Sequence, residues 1–177
     1  MPNWCEGNIR FRGNIDDVIK LLSENILVCR FSDETDENGR ITTLTSKPIV
    51  DVTKDSEGDV EEIALSTNNS KSWFYINGTH RNFIDEDGCS VDTCDVFKLD
   101  DGQYIIIFSG FKAAWSIESA PYVEMSEKYN VDIHIFGWER GMEFDQEIEI
   151  INGNLIKDKV SNGKNWLWEA SMPYLGG

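Results

Sequence analysis

Two histidines are the candidates for a general base in this chain. His80 lies in a Gly-Thr-His-Arg turn, and His134 falls between Ile133 and Ile135 in a segment that alternates like a strand. Nucleophilic catalysis needs a serine or cysteine held beside such a base, with a third group that orients the base. No spacing in the sequence places these groups together, so we predict that the chain is not an enzyme.

Cysteines offer a second kind of chemistry, metal binding. Cys89 and Cys94 stand at a spacing just inside the loose range of zinc ligands, and His80 precedes them. Two thiols and one histidine leave a tetrahedral site incomplete, so we expect reduced thiols, no metal and no cofactor. A small-ligand-binding or enzymatic domain that uses His80, Cys89 and Cys94 stays open as an alternative.

One acidic turn has part of the calcium-loop pattern. Glu34, Asp36 and Asn38 supply oxygens at positions one, three and five of an EF-hand-like loop, and Gly39 stands at position six. Position twelve, which needs a bidentate glutamate, is Thr45. We therefore interpret this segment as a solvated acidic turn, and whether it binds calcium is left open.

An alternating row of acids is the strongest pattern in the sequence. The chain has 32 Asp and Glu against 16 Lys and Arg, a formal net charge of −16. Glu143, Asp145, Glu147 and Glu149 alternate with mostly apolar residues, so a strand would place all four carboxylates on one face. Residues two apart on a strand are about 6.5–7 Å apart, similar to successive phosphates. The row predicts a nucleic-acid mimic that occupies the basic groove of a partner.

Further acids in turn-rich segments are predicted as secondary partner contacts. They are Asp33, Glu34, Asp36, Glu37, Asp55, Glu57, Asp59, Glu61, Glu62, Asp85, Glu86 and Asp87. The same charge excludes direct binding of nucleic acid and disfavours anionic membranes. The chain has no apolar run of about 20 residues and no secretory leader, so we predict the cytoplasm of the host cell.

Local patterns predict the elements that position these residues. They indicate a strand at 4–13, a helix capped by Asn14, strands at 26–31 and 104–111, a helix begun by Ser116 or Ser119 with Pro121 in its first turn, strands at 131–137 and 142–151, and a tight turn at Asn152-Gly153.

This order of elements predicts an α+β fold. Residues 1–31 and 103–177 would form a ferredoxin-like split βαβ core with an antiparallel sheet and an extra C-terminal strand. Residues 32–102 would form an inserted acidic, β-rich subdomain with its own small sheet. Large apolar residues close the chain and are expected to dock on this core: Trp166, Trp168, Met172, Tyr174 and Leu175.

Several motifs resemble a known family. The opening MPNWCEGN, Trp115-Ser116, the segment 125–129 and the segment 136–144 resemble the plasmid- and phage-borne proteins described as the YubB (Api-like) ferredoxin-like family. The match covers the first dozen residues and roughly 103–150. Ser116 and Ile117 stand where the family usually has prolines. The resemblance implies a ferredoxin-like fold and residence on a mobile element, and it implies no reaction.

Acidity and mobile-element residence together give the functional hypothesis. We expect a non-enzymatic inhibitor, encoded by a phage or plasmid, that binds the basic groove of a host nucleic-acid-binding defence protein such as a CRISPR nuclease, as an anti-CRISPR protein does. One alternative is that the acids only keep the protein soluble. Another is an oligomerising structural protein, in which Trp166, Trp168 and Tyr174 make the contact.

Overall fold

A computed structural model describes residues 3–35, 37–38, 41–68, 72–84 and 91–162. This part contains two helices, neither of them long and apolar enough to cross a membrane. The elements are β1 (Trp4–Gly13), α1 (Ile15–Asn25), β2 (Ile26–Thr35), β3 (Ile41–Ser46), β4 (Ile49–Lys54), β5 (Val60–Ser66), β6 (Trp73–Ile76), β7 (Asn82–Ile84), β8 (Val91–Lys98), β9 (Tyr104–Ala114), α2 (Ala120–Tyr129), β10 (Asp132–Glu139), β11 (Phe144–Ile151) and β12 (Asn154–Asn162).

The first helix begins as its sequence predicts. The side chain of Asn14 accepts a hydrogen bond of 3.0 Å from the backbone N–H of Asp16. This bond satisfies one of the free donors at the helix start, and the acids of the first turn, Asp16 and Asp17, favour the same end of the helix dipole. Val18, Leu21 and Leu22 are buried on the apolar side of the helix.

The start of the second helix differs from the prediction in one respect. Ser119 occupies the cap position and Pro121 lies in the first turn, but the serine side chain makes no capping hydrogen bond. The helix ends at Tyr129, and the next residue, Asn130, adopts a left-handed conformation with φ of 53°. Asparagine tolerates this conformation better than most residues, so the helix can stop there.

All strand pairings in the described residues are antiparallel. The main path of the sheet runs β12-β11-β10-β1-β9-β7-β6-β2-β3. Strand β9 forks this sheet, because residues 111–113 pair with β7 while residues 104–107 pair with β8. Beyond β8 the sheet continues into β5 and β4.

The predicted α+β, ferredoxin-like split βαβ fold is wrong. The protein is a β-rich fold, with a twelve-stranded antiparallel sheet and only two helices in the described residues. The prediction failed because it set the segment 32–102 aside. Three strands, β9, β7 and β6, separate β1 from β2, and two of these come from that segment. The division into a core and an inserted subdomain stays a prediction.

The helices cover one face of the central strands. Residues alternating along β1, β10 and β11 are buried on this face together with the apolar sides of α1 and α2. Cys5, Ile9 and Phe11 are examples from β1, and none of them is accessible to solvent. The intervening residues, such as Trp4 and Arg10, point to the opposite face, which we call the open face.

Candidate functional site

Strand β11 places three of the four row acids on the open face. Gln146, Ile148 and Ile150 are buried on the helix-covered side, so Asp145, Glu147 and Glu149 point the other way. Glu143 precedes the strand, is exposed, and has a left-handed φ of 54°. The sequence thus predicts the face correctly for the residues within the strand but includes one residue of the preceding turn.

A bulge in the β11–β12 hairpin decides what lies beside these acids. Next to the Asn152-Gly153 turn, Ile150 pairs with Leu155, and a register shift then pairs Glu149 with Lys157 and Glu147 with Lys159. An unshifted ladder would have paired Glu149 with Ile156 and Glu147 with Asp158. The extra residue therefore moves two lysines onto the face that carries the acids.

Glu147 is held by two basic side chains of neighbouring strands. Lys157 Nζ donates a 2.6 Å hydrogen bond to Glu147 Oε2, and His134 Nε2 lies 3.2 Å from Glu147 Oε1. Burial alone would raise the pKa of Glu147, but the hydrogen bonds and charges of Lys157 and His134 outweigh burial and lower it. This carboxylate is already paired inside the protein.

Asp145 is the most enclosed member of the row. Only 7% of the residue is accessible, and it pairs in register with Trp138 on one side and Ser161 on the other. Burial raises the pKa of its carboxyl, opposed by a hydrogen bond with Ser161 and the charge of Lys159. The row is therefore not the unpaired anionic array that the sequence predicts, because one acid is ion-paired and another is buried.

Two of the acids that were predicted as secondary partner contacts also interact with groups of the protein itself. Asp55 Oδ1 accepts hydrogen bonds from the backbone N–H groups of Glu57 and Asp59 at 2.8 and 2.9 Å, which shapes the turn between β4 and β5. Asp59 forms an ion pair of 2.6 Å with Lys98. The hydrogen bond from Lys98 lowers the pKa of Asp59.

Other acids of the β4–β5 hairpin, together with Asp95 of the nearby strand β8, are exposed, and no basic residue of the described chain forms an ion pair with them. We call them the acidic hairpin surface: Asp51, Glu57, Glu61, Glu62 and Asp95. Asp51 and Glu62 lie on the exposed face of β4 and β5, opposite the buried and half-buried residues of these strands. Asp95 extends the same surface onto β8. Only Asp51 has a described side-chain bond, from the hydroxyl of Ser66 at 3.2 Å.

The remaining predicted contacts are placed only in part. Glu37 is exposed in a turn, and Asp33 and Glu34 belong to the backbone of β2. The side chains of Asp33 and Glu34 lie outside the described residues. Asp36, Gly39 and Arg40 of the predicted calcium loop also lie outside them, as do Asp85, Glu86, Asp87 and the bulky residues of the C-terminal segment.

The alternative site at His80, Cys89 and Cys94 does not assemble in the described chain. His80 is exposed and stacks on Trp115, with ring centroids 6.2 Å apart, near the end of β9. Cys94 is buried on β8, where its thiol donates to the carbonyl of Ile63, near the start of β9. Cys89 lies outside the described residues. No group of three or more metal-ligating side chains occurs among the residues described.

The described thiols lie in protected environments. Burial, together with the charges of Glu139, Glu6 and Asp145, raises the pKa of Cys5 to about 12. Burial also raises the pKa of Cys29. Since the thiolate is the reactive form, both cysteines are poor nucleophiles near neutral pH.

An aromatic groove on the open face is a feature that the sequence analysis missed. It has a volume of about 770 Å³ and crosses the sheet from β1 to β3. Its aromatic lining residues are Trp4, Phe31, Trp73, Tyr75 and Phe83. The ring centroids of Phe31 and Trp73 are 4.9 Å apart, and those of Tyr75 and Phe83 are 5.7 Å apart. The alternation of Trp73 and Tyr75 was the available signal, but the partner strands could not be assigned.

Comparisons of the chain with family models, with curated proteins and with solved structures found no match. The resemblance to the YubB (Api-like) family therefore stays a prediction, based on the motifs quoted above.

Proposed function

We propose that the protein is a non-enzymatic inhibitor that occupies the basic nucleic-acid groove of a host defence protein. The acidic hairpin surface makes the principal contact, and the β11 row does not. This assignment depends on one observation: five exposed carboxylates on β4, β5, β8 and their connecting turn have no ion-pairing partner among the described residues.

Unpaired surface carboxylates favour this kind of contact for an electrostatic reason. Like charges on neighbouring strands repel one another in the free protein, and a cation-rich partner relieves that repulsion. Charges of this kind also steer a positively charged partner toward the surface and speed up association. Glu147 offers neither advantage, because Lys157 already neutralises it.

The proposal includes a cellular setting. An inhibitor of a host defence protein acts in the cytoplasm of the host, and phages and plasmids gain from such an inhibitor. The family resemblance of the N-terminal motif supports residence on such an element.

Competition with a guide RNA tests the proposal. A purified CRISPR effector nuclease is mixed with fluorescent guide RNA, and displacement of the RNA is measured at low and moderate salt. The triple variant Glu57→Gln, Glu61→Gln, Glu62→Gln is expected to compete roughly tenfold less well, since each exposed charge pair contributes about 0.5 kcal/mol. The difference should shrink as salt rises, because salt screens these charges.

A matched control separates local contact from total charge. Glu118, Glu124 and Glu127 are exposed near or on α2, so changing all three to glutamine alters the net charge equally at another surface. This control should compete like the wild type. Equal losses in the two triple variants, or an unimpaired hairpin variant, would contradict the proposed surface.

An oligomeric structural protein is the second candidate, favoured by the edge strand β12. Within the part of the chain that the structure describes, this strand pairs with β11 alone, and it exposes Leu155, Ile156 and Val160, each more than 40% accessible. Long exposed edges with apolar side chains are prone to pair with another chain. Light scattering at two concentrations distinguishes the candidates, because a monomer at both concentrations would exclude this one.

A further inference from the structure

Arg81 places a positive charge in the aromatic groove, although the protein as a whole is strongly acidic. The guanidinium carbon of Arg81 lies 5.6 Å from the ring centroid of Trp4, so one face of the cation packs on the indole. Of the described residues, none forms an ion pair with Arg81. Stacking leaves the N–H groups at the edge of the guanidinium able to bind an oxyanion in a bidentate manner.

A strained backbone holds Arg81 in this position. Its φ of 60° is unusual for a residue with a side chain, and the nearby Trp115 has a φ of 67°. The Arg81 carbonyl accepts a 3.2 Å hydrogen bond from the N–H of Ala114 on β9. Strain of this kind persists where the surrounding structure enforces it, and it concentrates at functional positions.

Lys112 lines the same end of the groove and forms an ion pair with Glu6 there. It pairs in register with Phe83 of β7, and its Nζ lies 3.9 Å from Glu6. The aromatic side chains extend from this charged end toward β2 and β3, where Thr43 and Thr45 line the groove. The groove therefore has the guanidinium of Arg81 at one end and an aromatic body.

The volume and the charge of the groove limit its ligand. About 770 Å³ lies within the range of roughly 300–1,000 Å³ that is typical of small-ligand pockets. A net charge of −16 repels a long polyanion strongly, whereas one or two negative charges beside Arg81 are repelled far less. Aromatic walls favour a flat aromatic ligand, which can stack or meet their rings edge-on.

We propose that the groove binds a small aromatic anion, a ligand with one planar ring system and a carboxylate, sulfonate or phosphate. The rings pack on Trp73, Tyr75 and Phe83. Arg81 binds the anionic group. This site is separate from the acidic hairpin surface, so the failure of either proposal leaves the other in place.

A fluorescent aromatic sulfonate tests the site directly. Anilinonaphthalene sulfonate is titrated into the full-length chain, with phenylnaphthylamine as its uncharged counterpart. Arg81→Gln is expected to weaken binding of the sulfonate about tenfold and to leave the uncharged dye unaffected. Trp73→Ala should weaken binding of both dyes, and Arg140→Gln, an exposed arginine in the β10–β11 turn, should change neither. Circular dichroism and melting temperature verify that each variant folds.

Competitors then identify the anionic group. Displacement of the dye by adenosine monophosphate but not by adenosine indicates a phosphate ligand, and displacement by indole acetate but not by indole indicates a carboxylate. A single-stranded oligonucleotide that displaces the dye better than the mononucleotide would overturn the small-ligand proposal. So would an Arg81→Gln variant that binds the sulfonate as well as the wild type does.

Failure to bind is also decisive. If the chain binds neither dye, the proposal is overturned. Binding of the sulfonate that Arg81→Gln weakens, with the uncharged dye unaffected, supports it.

Discussion

Asp145 and Glu147 show how one strand gives two neighbouring carboxyl groups opposite pKa shifts. Both point to the open face, and they are two residues apart. Asp145 is enclosed, so burial raises its pKa. Burial alone would also raise the pKa of Glu147, but the hydrogen bonds and charges of Lys157 and His134 together outweigh it and lower the pKa. The two side chains should therefore affect stability in opposite directions.

Amide substitutions test this contrast. At pH 7 we expect Asp145→Asn to stabilise the protein by roughly 1 kcal/mol, because the neutral amide is cheaper to bury and still accepts the hydrogen bond of Ser161. Glu147→Gln should destabilise it by about 0.5–1 kcal/mol through loss of the ion pair. Urea unfolding at pH 7 measures both changes.

The pH dependence of the two variants follows from the directions of the pKa shifts. A carboxyl group whose pKa is lowered by folding stabilises the protein at pH values above its ordinary pKa. That stability is lost as the pH falls through the lowered pKa. The cost of Glu147→Gln should therefore vanish in acid. A carboxyl group whose pKa is raised by folding is costly to keep ionised in the folded protein at neutral pH. The gain in stability from Asp145→Asn should therefore also shrink as acid protonates the wild-type carboxyl. Equal and unchanging effects at pH 7 and pH 3 would contradict this account.

At the scale of elements, two glycines let β1 and β10 approach each other. Gly7 and Gly137 are paired across these strands. A Cβ on Gly7 would lie 1.9 Å from the carbonyl oxygen of Phe136. A Cβ on Gly137 would lie 2.5 Å from the sulfur of Cys5 and 2.9 Å from a methyl carbon of Ile117. The first contact is with rigid backbone, and the second is with side chains that can move.

We therefore predict graded effects of alanine at these glycines. Gly7→Ala should destabilise the protein by about 3 kcal/mol or prevent folding, and Gly137→Ala by about 2 kcal/mol, as overpacking does. Gly13→Ala is the matched control, because its nearest neighbour would be 3.4 Å away. Adding Cys5→Ala should recover part of the loss at Gly137 and none of the loss at Gly7. Melting temperatures of the five variants measure this, and equal losses at Gly7 and Gly137 would contradict it.

Local sequence patterns predicted elements well, but not their partners. The Asn14 cap, the strand at 4–13 and the Asn152-Gly153 turn depend on neighbouring residues, and all three are confirmed. The places of β6 and β7 between β9 and β2 depend on distant pairings of short strands, which no local pattern specifies. For the same reason, the sequence did not predict the aromatic groove. Its aromatic side chains come from four strands that meet only in the folded sheet.

At the scale of the whole molecule, the segment 32–102 contributes to the central sheet. Strands β6 and β7 lie between β2 and β9, and β8 pairs with the other half of β9. Ile76 of β6 and Ile84 of β7 are fully buried in the same core as Ile26 of β2. Removing this segment would therefore take away both neighbours of β9 on one side.

Excision tests whether residues 1–31 and 103–177 can fold alone. We join them by a Gly-Ser linker of roughly eight residues, enough to cross three strand spacings of about 4.8 Å. We expect no cooperative urea transition, because β2 and β9 lose their partners. The control inserts the same linker into the exposed turn between Glu57 and Gly58 and should unfold cooperatively. A sharp transition in the excised chain would show instead that the segment is a dispensable subdomain.

The extra residue in the β11–β12 ladder has an evolutionary consequence. Loss of a single codon there, such as that of Ile156, would leave the formal charge at −16 and every acid in place. It would also straighten the ladder without changing the compensation, because Leu155 would still pair with Ile150, Lys157 with Glu149 and Lys159 with Glu147. The bulge therefore accommodates one extra residue of β12 while the lysines keep their places beside the acids, so a change of strand length here need not alter the electrostatic character of this face.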